Sequence, residues 1–295
     1  MTLLKKITKK LKFYFRLFLW KIIGIFKEKV TVSTKQGIFT VFCHDKEISK
    51  ELFCHQDYDR EFYFKVFKFL SKKKLLKKGT LIDIGANIGV TAIGIINDKL
   101  AGKAIAIEPE PENFSLLEKN IKANHLEKLI IPLPYAVSEI NGDLSLELSE
   151  NIFGDHRIRQ TLKRNIAYEL FKESERKVIK VKAQTLDAII SSLPKDFTQE
   201  ISLIWSDVQG FEGSVFKGGR QIFSKNIPVV VEIWPYGIKR IGMSEKEFCD
   251  LTQNFWSNYW VLRQKNFIKY PTSSLKTLFD ELGEKGNYTN VIFTK

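Results

Sequence analysis

Residues 81–90 read LIDIGANIGV, an apolar run that passes into a glycine-containing loop and then becomes apolar again. Asp83 stands near the end of a predicted strand, and Gly85 and Gly89 bracket the loop. Glycines let the backbone turn tightly and let a ligand approach the main chain closely. The stretch therefore predicts a small-molecule site at the carboxyl end of a strand.

Strands and helices alternate along the chain around this stretch. Helices are predicted at residues 90–98 and 111–124, and a helical segment, SLKTLFDEL, lies between the last two strands. Continuous apolar strands that alternate with helices indicate an α/β fold, with a mostly parallel sheet covered by helices on both faces. The predicted strands are TLIDIG, KAIAIEP, LIIPLPYAVS, DLSLEL, ISLIWSD, IPVVVEIW, YWVLRQ and YTNVIFTK.

Charge is concentrated at the start of the chain. The net charge is +13 over 295 residues, and residues 1–29 contribute +8 of it through eight lysines and Arg16 against Glu28. The remainder is only mildly basic, so we expect no nucleic-acid partner. Three dispersed cysteines and four dispersed histidines form neither a disulfide framework nor a zinc motif. We therefore expect no metal and a reducing, cytoplasmic location.

Residues 3–26 predict a basic amphipathic helix. Arg16 and Lys21 interrupt its apolar run, which is too short to span a membrane. Phe13 and Trp20 interrupt its polar face. Two roles stay open: the helix lies on the inner, anionic face of a membrane, or it packs on the domain or on a second copy. The predicted apolar face holds Leu4, Ile7, Leu11, Tyr14, Phe18, Ile22 and Ile25.

Three parts are predicted along the chain. Residues 1–29 form the basic N-terminal helix. Residues 30–77 form an extension, in which a hairpin turns at Gly37 and a helix follows at residues 61–75. Residues 78–295 form the main domain.

Glu108 indicates which class of ligand the glycine loop binds. It ends the second predicted strand, 25 residues after Asp83, where an acid typically binds the ribose hydroxyls of a cofactor. Asn87 occupies the position at which a dinucleotide motif, GxGxxG, has its second glycine. An acid at the strand end suits the cationic methionyl group of S-adenosylmethionine and would repel a diphosphate. S-adenosylmethionine is therefore favoured, with an NAD-type Rossmann oxidoreductase as the alternative.

Four segments in this order resemble the FkbM-type family of S-adenosylmethionine-dependent methyltransferases: LIDIGANIG, IEPEPENFSLLEKNIKAN, AVSEINGDLSLEL and LIWSDVQGFEGSVFKGG. The resemblance covers about residues 78–235. NIFGDHRI and VEIWPYGIKRIG resemble the branch that carries WxDxQG in place of KxDxEG. The resemblance implies a class I methyltransferase fold of seven strands in the order 3-2-1-4-5-7-6, with strand 7 antiparallel. It also implies O-methylation of sugars, polyketides or related small molecules.

The resemblance also assigns cofactor-binding residues. Ser206 departs from the branch, which usually has an apolar residue there, and Gln209 replaces the commoner glutamate of the family. Asp207 matches the acid at the mouth of the methyl-transfer site. The implied cofactor residues are Asp83, Gly85, Asn87 and Gly89 on the methionine side, Glu108 and Pro109 at the ribose, and Ala136 and Val137 beside the adenine.

Methyl transfer to a hydroxyl requires orientation and deprotonation of the acceptor. Asp207 is the first candidate for the base, followed by Glu232 and by His156, which lies in a predicted mobile loop. Each has a structural alternative, such as a helix cap for Asp207. The candidate substrate residues are Gln209, Glu212, Arg157, Trp234 and Tyr236.

The sequence thus predicts an S-adenosylmethionine-dependent O-methyltransferase that acts on a sugar, a glycan or another hydroxylated small molecule. A non-catalytic cofactor-binding module is a further alternative, because Ser206 and Gln209 depart from the common pattern.

Overall fold

The computed structural model describes residues 3–159 and 170–295, with side chains from Lys10 onward. The strands are β1 Lys29–Ser33, β2 Ile38–Phe42, β3 Thr80–Ile84, β4 Lys103–Ile107, β5 Ile130–Leu133, β6 Ala136–Val137, β7 Gly142–Glu147, β8 Arg157–Arg159, β9 Val178–Gln184, β10 Ile201–Ser206, β11 Val229–Ile233, β12 Asn258–Arg263, β13 Asn266–Pro271 and β14 Thr289–Thr294. The helices are α1 Leu3–Phe26, α2 Ile48–His55, α3 Arg60–Lys72, α4 Val90–Asn97, α5 Pro111–Ala123, α6 Leu186–Ser192, α7 Lys195–Thr198, α8 Glu212–Gly218, α9 Arg220–Ser224, α10 Pro235–Arg240, α11 Glu245–Gln253 and α12 Leu275–Leu282.

The main sheet of the described residues has the order β5-β4-β3-β10-β11-β14-β12-β13. Its first five strands are parallel, and β14 runs antiparallel to both β11 and β12. The predicted α/β class is confirmed. The predicted number of seven strands is wrong, because β13 adds an eighth strand antiparallel to β12. A two-residue turn joins the pair, with Gln264 in the left-handed conformation at a φ of 55°.

Helices cover both faces of this sheet, as side-chain alternation along the strands requires. Leu81 of β3 packs with the cluster that contains α3, α4 and α5. Ile82 and Ile84, on the opposite face, pack with α6, α8, α11 and α12. The first cluster also contains Trp20 and Phe39, so the N-terminal segments share this core with the sheet. The three-part division of the chain remains a prediction.

A second sheet, with the order β6-β9-β7-β8, begins where β5 ends. The segment DLSLEL was expected as a strand of the main sheet, but it forms β7 between β9 and β8. The apolar run LIIPLPYAVS, residues 129–138, was expected as one strand region, but it divides between the two sheets as β5 and β6.

The predicted hairpin consists of β1 and β2, which pair antiparallel. Asn120 of α5 is fully buried and fastens the hairpin to the rest of the fold. Its Oδ1 accepts the Thr40 N–H at 2.6 Å. Its Nδ2 donates to the Thr40 carbonyl at 3.2 Å and to the Ile88 carbonyl at 2.9 Å. One side chain thus joins β2, α5 and the glycine loop.

We expect Asn120→Ala to lower the free energy of unfolding by about 3 kcal/mol, because buried backbone groups lose their partners. Alanine favours helix more than asparagine does, so the loss does not come from helix propensity. Urea unfolding followed by tryptophan fluorescence measures the change. Asn254→Ala, at an exposed position, is the control and should change the value by less than about half a kcal/mol. Equal effects of the two changes would contradict the prediction.

The first helix packs on the domain through the residues that interrupt its polar face. Trp20 is 7% exposed and contacts the Phe53 ring at 5.2 Å between centroids. Phe13 stacks on His55 at 4.6 Å, and Arg16 donates to the Phe53 carbonyl at 3.0 Å. A search of the described residues finds no helix with the length and apolarity needed to cross a membrane.

Candidate functional site

A first cavity opens at the carboxyl ends of β3 and β4, where a parallel sheet places its ligands. Its lining includes six of the predicted cofactor residues, and it continues past His156 and Phe153 to Asp207. The six are Gly85, Asn87, Glu108, Pro109, Ala136 and Val137.

The backbone of the glycine loop explains its sequence. Gly85 has a φ of 85°, and a Cβ added there would lie 1.9 Å from the Asp207 carbonyl oxygen. Gly89 has a φ of 91°, and its Cβ would meet the Leu117 side chain at 2.7 Å. Gly85 thus allows the ends of β3 and β10 to approach each other, and Gly89 allows close packing against α5. Asn87 is also left-handed, with a φ of 50°.

Asp83 and Gly89 lie outside the set of described residues that line this cavity. Asp83 is buried, and its Oδ2 accepts the Ala92 N–H of α4 at 3.1 Å. Burial raises the pKa of Asp83 to about 7. Asp83 thus fixes the start of α4 beside the loop, and contact of Asp83 and Gly89 with the cofactor stays a prediction.

Glu108 is held by the main chain on both oxygens. Oε2 accepts the Asn87 N–H at 2.8 Å, and Oε1 accepts the Glu110 N–H at 2.9 Å. Burial raises the pKa of Glu108 to about 8. These two bonds fix the carboxylate at the cavity wall with oxygen lone pairs left to accept further hydrogen bonds.

The loop that contains His156 was predicted to be mobile, but hydrogen bonds hold it at Phe153. The Phe153 carbonyl accepts from Asn87 Nδ2 at 2.8 Å and from Asn113 Nδ2 at 3.0 Å. The Phe153 N–H donates to Asp45 Oδ1 at 3.2 Å. The extension, the glycine loop and α5 thus anchor this wall of the cavity.

His156 lines the first cavity, and its environment opposes the predicted role as a base. Its Nδ1 accepts the Ser149 N–H at 3.0 Å. Burial lowers the pKa of His156 to about 4, so the ring is neutral near pH 7. A neutral imidazole that accepts at Nδ1 carries its proton on Nε2. His156 therefore presents a hydrogen-bond donor to the cavity.

A second cavity adjoins the first. Residues from the extension, from β11 and from β14 form its walls, and it shares Ile48, Gly154, Asp207 and Gln209 with the first cavity. Its polar and aromatic lining includes Glu47, Tyr58, Asp59, Asp155, Glu232, Trp234, Tyr288 and Asn290.

Gln209 bridges two carboxyl groups at the junction of the cavities. Its Nε2 donates to Asp207 Oδ1 at 2.7 Å and to Glu232 Oε2 at 3.3 Å. The Asp207 side chain is accessible from the cleft. The protein around the cleft nevertheless desolvates its carboxyl group, and this raises its pKa to about 6. Burial and then the negative charge of Asp207 raise the pKa of Glu232 well above its usual value. Near neutral pH the pair favours an ionised Asp207 and a protonated Glu232.

Glu212 was predicted to face the substrate, but it is fully buried beneath the loop after β10. Its Oε1 accepts the N–H groups of Val208 and Gly210 at 3.1 and 3.4 Å. The buried carboxyl group of Glu212 therefore fixes the backbone of the loop that carries Asp207 and Gln209.

We expect Glu212 to make stability fall as the pH rises. Burial raises its pKa from 4.5 to about 8 in the folded protein, so the folded state binds the proton more tightly. This stabilisation is complete below the unfolded-state pKa and is lost as the pH rises through about 8. Glu212→Gln, which keeps an oxygen acceptor, should flatten the decrease in unfolding free energy between about pH 5 and 8. Urea unfolding across this range tests it, and identical slopes in both proteins would contradict it.

Arg157, a candidate substrate residue, lines the second cavity, and its guanidinium is also held by carboxyl groups of the protein. Nε donates to Asp155 Oδ1 at 2.5 Å, and Nη1 donates to Glu173 Oε1 at 3.1 Å. The group also lies 4.5 Å from the centroid of the Trp234 ring. Trp234 lines the second cavity as expected of a substrate residue. Tyr236 donates from its hydroxyl to Glu173 at 2.7 Å and supports this network.

Sequence reasoning missed the part of the second cavity that comes from outside the main strands. Glu47 and Asp59 precede α2 and α3, and no motif marks them. Asn290 lies opposite Glu232 in the β11–β14 register, a pairing that the sequence alone does not reveal. The one local indication of this wall in the sequence was the acidic segment that contains Tyr58 and Asp59. Within residues 3–159 and 170–295, no group of three or more histidine, cysteine or acidic side chains is arranged to hold a metal ion.

The first cavity fits S-adenosylmethionine by the chemistry of its walls. A carboxylate fixed at the end of β4 can accept hydrogen bonds from a ribose, and Ala136 and Val137 offer a small apolar wall for a base. The carboxylate of Asp207, which is ionised near neutral pH, suits a cationic ligand better than a diphosphate. The dinucleotide alternative lacks this fit.

Comparisons with known proteins identify similar methyltransferases. The model of the methyltransferase FkbM domain matches residues 83–255. Methyltransferase sdnD of Sordaria araneosa is 24% identical over 176 residues, and the match covers 54% of this chain and 68% of that protein.

Two similar solved structures are the methyltransferase FkbM from Methylobacillus flagellatus KT and the tRNA m1G37 methyltransferase of M. jannaschii. The first is 17% identical with a TM-score of 0.43, and the match covers 84% of this chain and 55% of that one. The second is 14% identical with a TM-score of 0.41, and the match covers 91% and 54%. The chain spans about half the length of these two solved chains.

The matched region contains the glycine loop, Glu108, Asp207 and Glu232, and it covers more than half of the chain. The methyl donor that this family and the first cavity imply is S-adenosylmethionine. The chain belongs to the FkbM domain family of S-adenosylmethionine-dependent methyltransferases.

Proposed function

We propose that this methyltransferase methylates a hydroxyl group of a sugar, a glycan or another hydroxylated small molecule that binds in the second cavity. One observation carries the proposal: Asp207 lines both cavities, and its carboxylate is fixed at their junction by Gln209. A base at this junction reaches an acceptor in one cavity while the methyl donor occupies the other.

The first cavity holds the cofactor in this proposal. Glu108 accepts hydrogen bonds from the ribose, Pro109 lies beside it, and Ala136 and Val137 flank the adenine. Gly85 and Asn87 form the wall at the methionine side. Bound S-adenosylmethionine supplies a methyl group that is already activated on a sulfonium.

Asp207 acts as the general base. With a pKa of about 6 it is ionised near neutral pH, and it still lies close enough to neutrality to accept a proton effectively. Gln209 orients the carboxylate through the 2.7 Å bond. Glu232, protonated under these conditions, can donate a hydrogen bond to the acceptor and keeps a second negative charge away from Asp207.

The lining of the second cavity supports a polyhydroxylated acceptor. The carboxyl groups of Glu47, Asp59 and Glu232 can accept or donate hydrogen bonds to hydroxyls. Trp234 and Tyr288 provide aromatic surface on the same walls, which suits the apolar C–H face of a sugar ring. Acidic walls disfavour a phosphate-rich acceptor, and this argues against a nucleic-acid substrate.

The test is methyl transfer by the full chain. The protein is incubated with methyl-tritiated S-adenosylmethionine and a panel of mono- and oligosaccharides, glycolipids, amines, carboxylic acids and RNA. Mass spectrometry with fragmentation then locates the new methyl group. An ether on a hydroxylated acceptor supports the proposal. A methyl group on nitrogen, on a carboxylate or on RNA would overturn it, and so would donor binding without transfer to any member of the panel.

A further inference from the structure

Helix α1 has two apolar faces, and the domain covers only one of them. Phe13, Leu17 and Trp20 face the protein. A second set, called here the outer face, is exposed along the described part of the helix, from Ile22 at 36% to Phe26 at 79%. The outer face consists of Leu11, Phe15, Phe18, Ile22, Ile25 and Phe26.

The outer face is continuous. At about 100° per residue, its six side chains share roughly a third of the helix circumference, on the side opposite Trp20. Tyr14 lies at one edge and is also exposed. Contiguous exposed apolar side chains of this size mark an interaction surface rather than ordinary surface variation.

Positive charge borders the outer face. Lys10 and Lys21 lie along one edge and Lys12 along the other, and all three are exposed. Residues 1–29 carry eight lysines and Arg16 against one acid, Glu28. An apolar stripe between lysines, with aromatic side chains in the stripe, is the pattern that inserts at the boundary between lipid headgroups and acyl chains. An anionic bilayer offers an apolar environment to the stripe and negative charge to the lysines that border it.

The packing of α1 gives this surface a fixed direction. Arg16 donates to the Phe53 carbonyl of α2, and Trp20 is buried against the Phe53 ring. The outer face therefore points away from the domain without any rearrangement of the helix.

We infer that the outer face of α1 docks the protein on the surface of an anionic lipid bilayer. The apolar side chains enter the headgroup boundary, and the flanking lysines contact the lipid phosphates. The helix lies in the plane of the membrane, and the domain stays in the aqueous phase. This inference stands on α1 alone and does not depend on the acceptor of the proposed reaction.

The test is flotation of the full chain with lipid vesicles. Vesicles of about one part phosphatidylglycerol to two parts phosphatidylcholine are compared with vesicles of pure phosphatidylcholine. We expect binding to the anionic vesicles, at least about tenfold weaker binding to the neutral ones, and a decrease as salt is raised.

Phe18→Glu tests the outer face directly, because Phe18 is 60% exposed and its replacement leaves the core intact. We expect at least about a tenfold loss of vesicle binding with an unchanged melting temperature. The matched control is Ile140→Glu, at a position that is 61% exposed and lies in the turn before β7. This control should bind vesicles like the unchanged protein.

Three results would overturn the inference. The chain fails to float with anionic vesicles, or Phe18→Glu floats as well as the unchanged protein. Alternatively, light scattering in the absence of lipid shows a dimer that Phe18→Glu converts to a monomer, so that a second copy covers the outer face. None of these measurements requires methyl transfer, so their failure is distinct from failure of the proposed function.

Discussion

Asp207→Asn is expected to lower kcat for methyl transfer by about a thousandfold, within the range that general bases contribute. The asparagine amide has nearly the same shape and retains an oxygen that can accept from Gln209. It cannot take the proton of the acceptor hydroxyl. The Kd for S-adenosylmethionine, measured by calorimetry, should rise far less than kcat falls, because in the proposed site Asp207 reacts with the acceptor and contributes to donor binding only through its charge.

The pH profile separates this chemical role from a structural one. With a pKa raised to about 6, Asp207 is protonated and inactive at lower pH, so kcat should rise with pH through about 6 and then level off. Asp207→Asn should lose this rising limb. Asp143→Asn makes the same chemical change at an exposed surface ion pair with Lys182 and should keep both the rate and the profile. A variant at Asp207 that retains more than about a tenth of the activity would contradict its assignment as the base.

Glu108→Gln is expected to weaken binding of S-adenosylmethionine by about a hundredfold. The two oxygens of Glu108 are fixed by the N–H groups of Asn87 and Glu110, and the remaining lone pairs face the ribose in the proposed site. An amide replaces one acceptor by a donor, which opposes a main-chain N–H and leaves fewer acceptors for the ribose hydroxyls. Above about pH 8, where Glu108 is ionised, loss of a hydrogen bond to this charged group costs about 1.5–3 kcal/mol, and this corresponds to the expected change in Kd.

Calorimetric titration measures this affinity, with NAD as a second ligand. Glu112→Gln is the matched control, because it makes the same change four positions away on the exposed start of α5. The ionised form of Glu108 accepts from both ribose hydroxyls, so affinity should rise as the pH rises through about 8. Glu108→Gln should remove this dependence. Tighter binding of NAD than of S-adenosylmethionine, or equal affinities in both variants, would contradict the site.

The central strands could be predicted because their signal is local. Strands β3, β4, β10 and β11 are buried on both faces, so each reads as an apolar run. Strand β13 could not, because it is an edge strand whose residues are mostly exposed and whose pattern lacks a core face. The second sheet was missed for a related reason: β6 has two residues and β8 has three, and each depends on its neighbours for its extended form.

The residues of the candidate site also fall into two groups: those whose place the sequence could predict and those whose place depends on the fold. Gly85, Asn87 and Glu108 belong to short motifs whose geometry follows from the strand and loop that carry them, so their location in one cavity could be predicted. The tautomer of His156 depends on a bond from Ser149, and the internal occupation of Arg157 depends on Asp155 and Glu173. Such contacts form only in the folded chain. Residue type alone therefore could not show that the folded environment restricts the roles of His156 and Arg157.

The walls of the second cavity have a consequence for how this enzyme can change its acceptor. Glu47, Tyr58 and Asp59 precede the matched domain region, and Tyr288 and Asn290 follow it, whereas Glu108 and Ala136 lie inside it. Part of the proposed acceptor site thus lies outside the stretch of the chain that carries the proposed donor site. Exchange of Tyr58 and Asp59 between relatives is therefore expected to change the proposed acceptor site while the residues that line the first cavity stay the same.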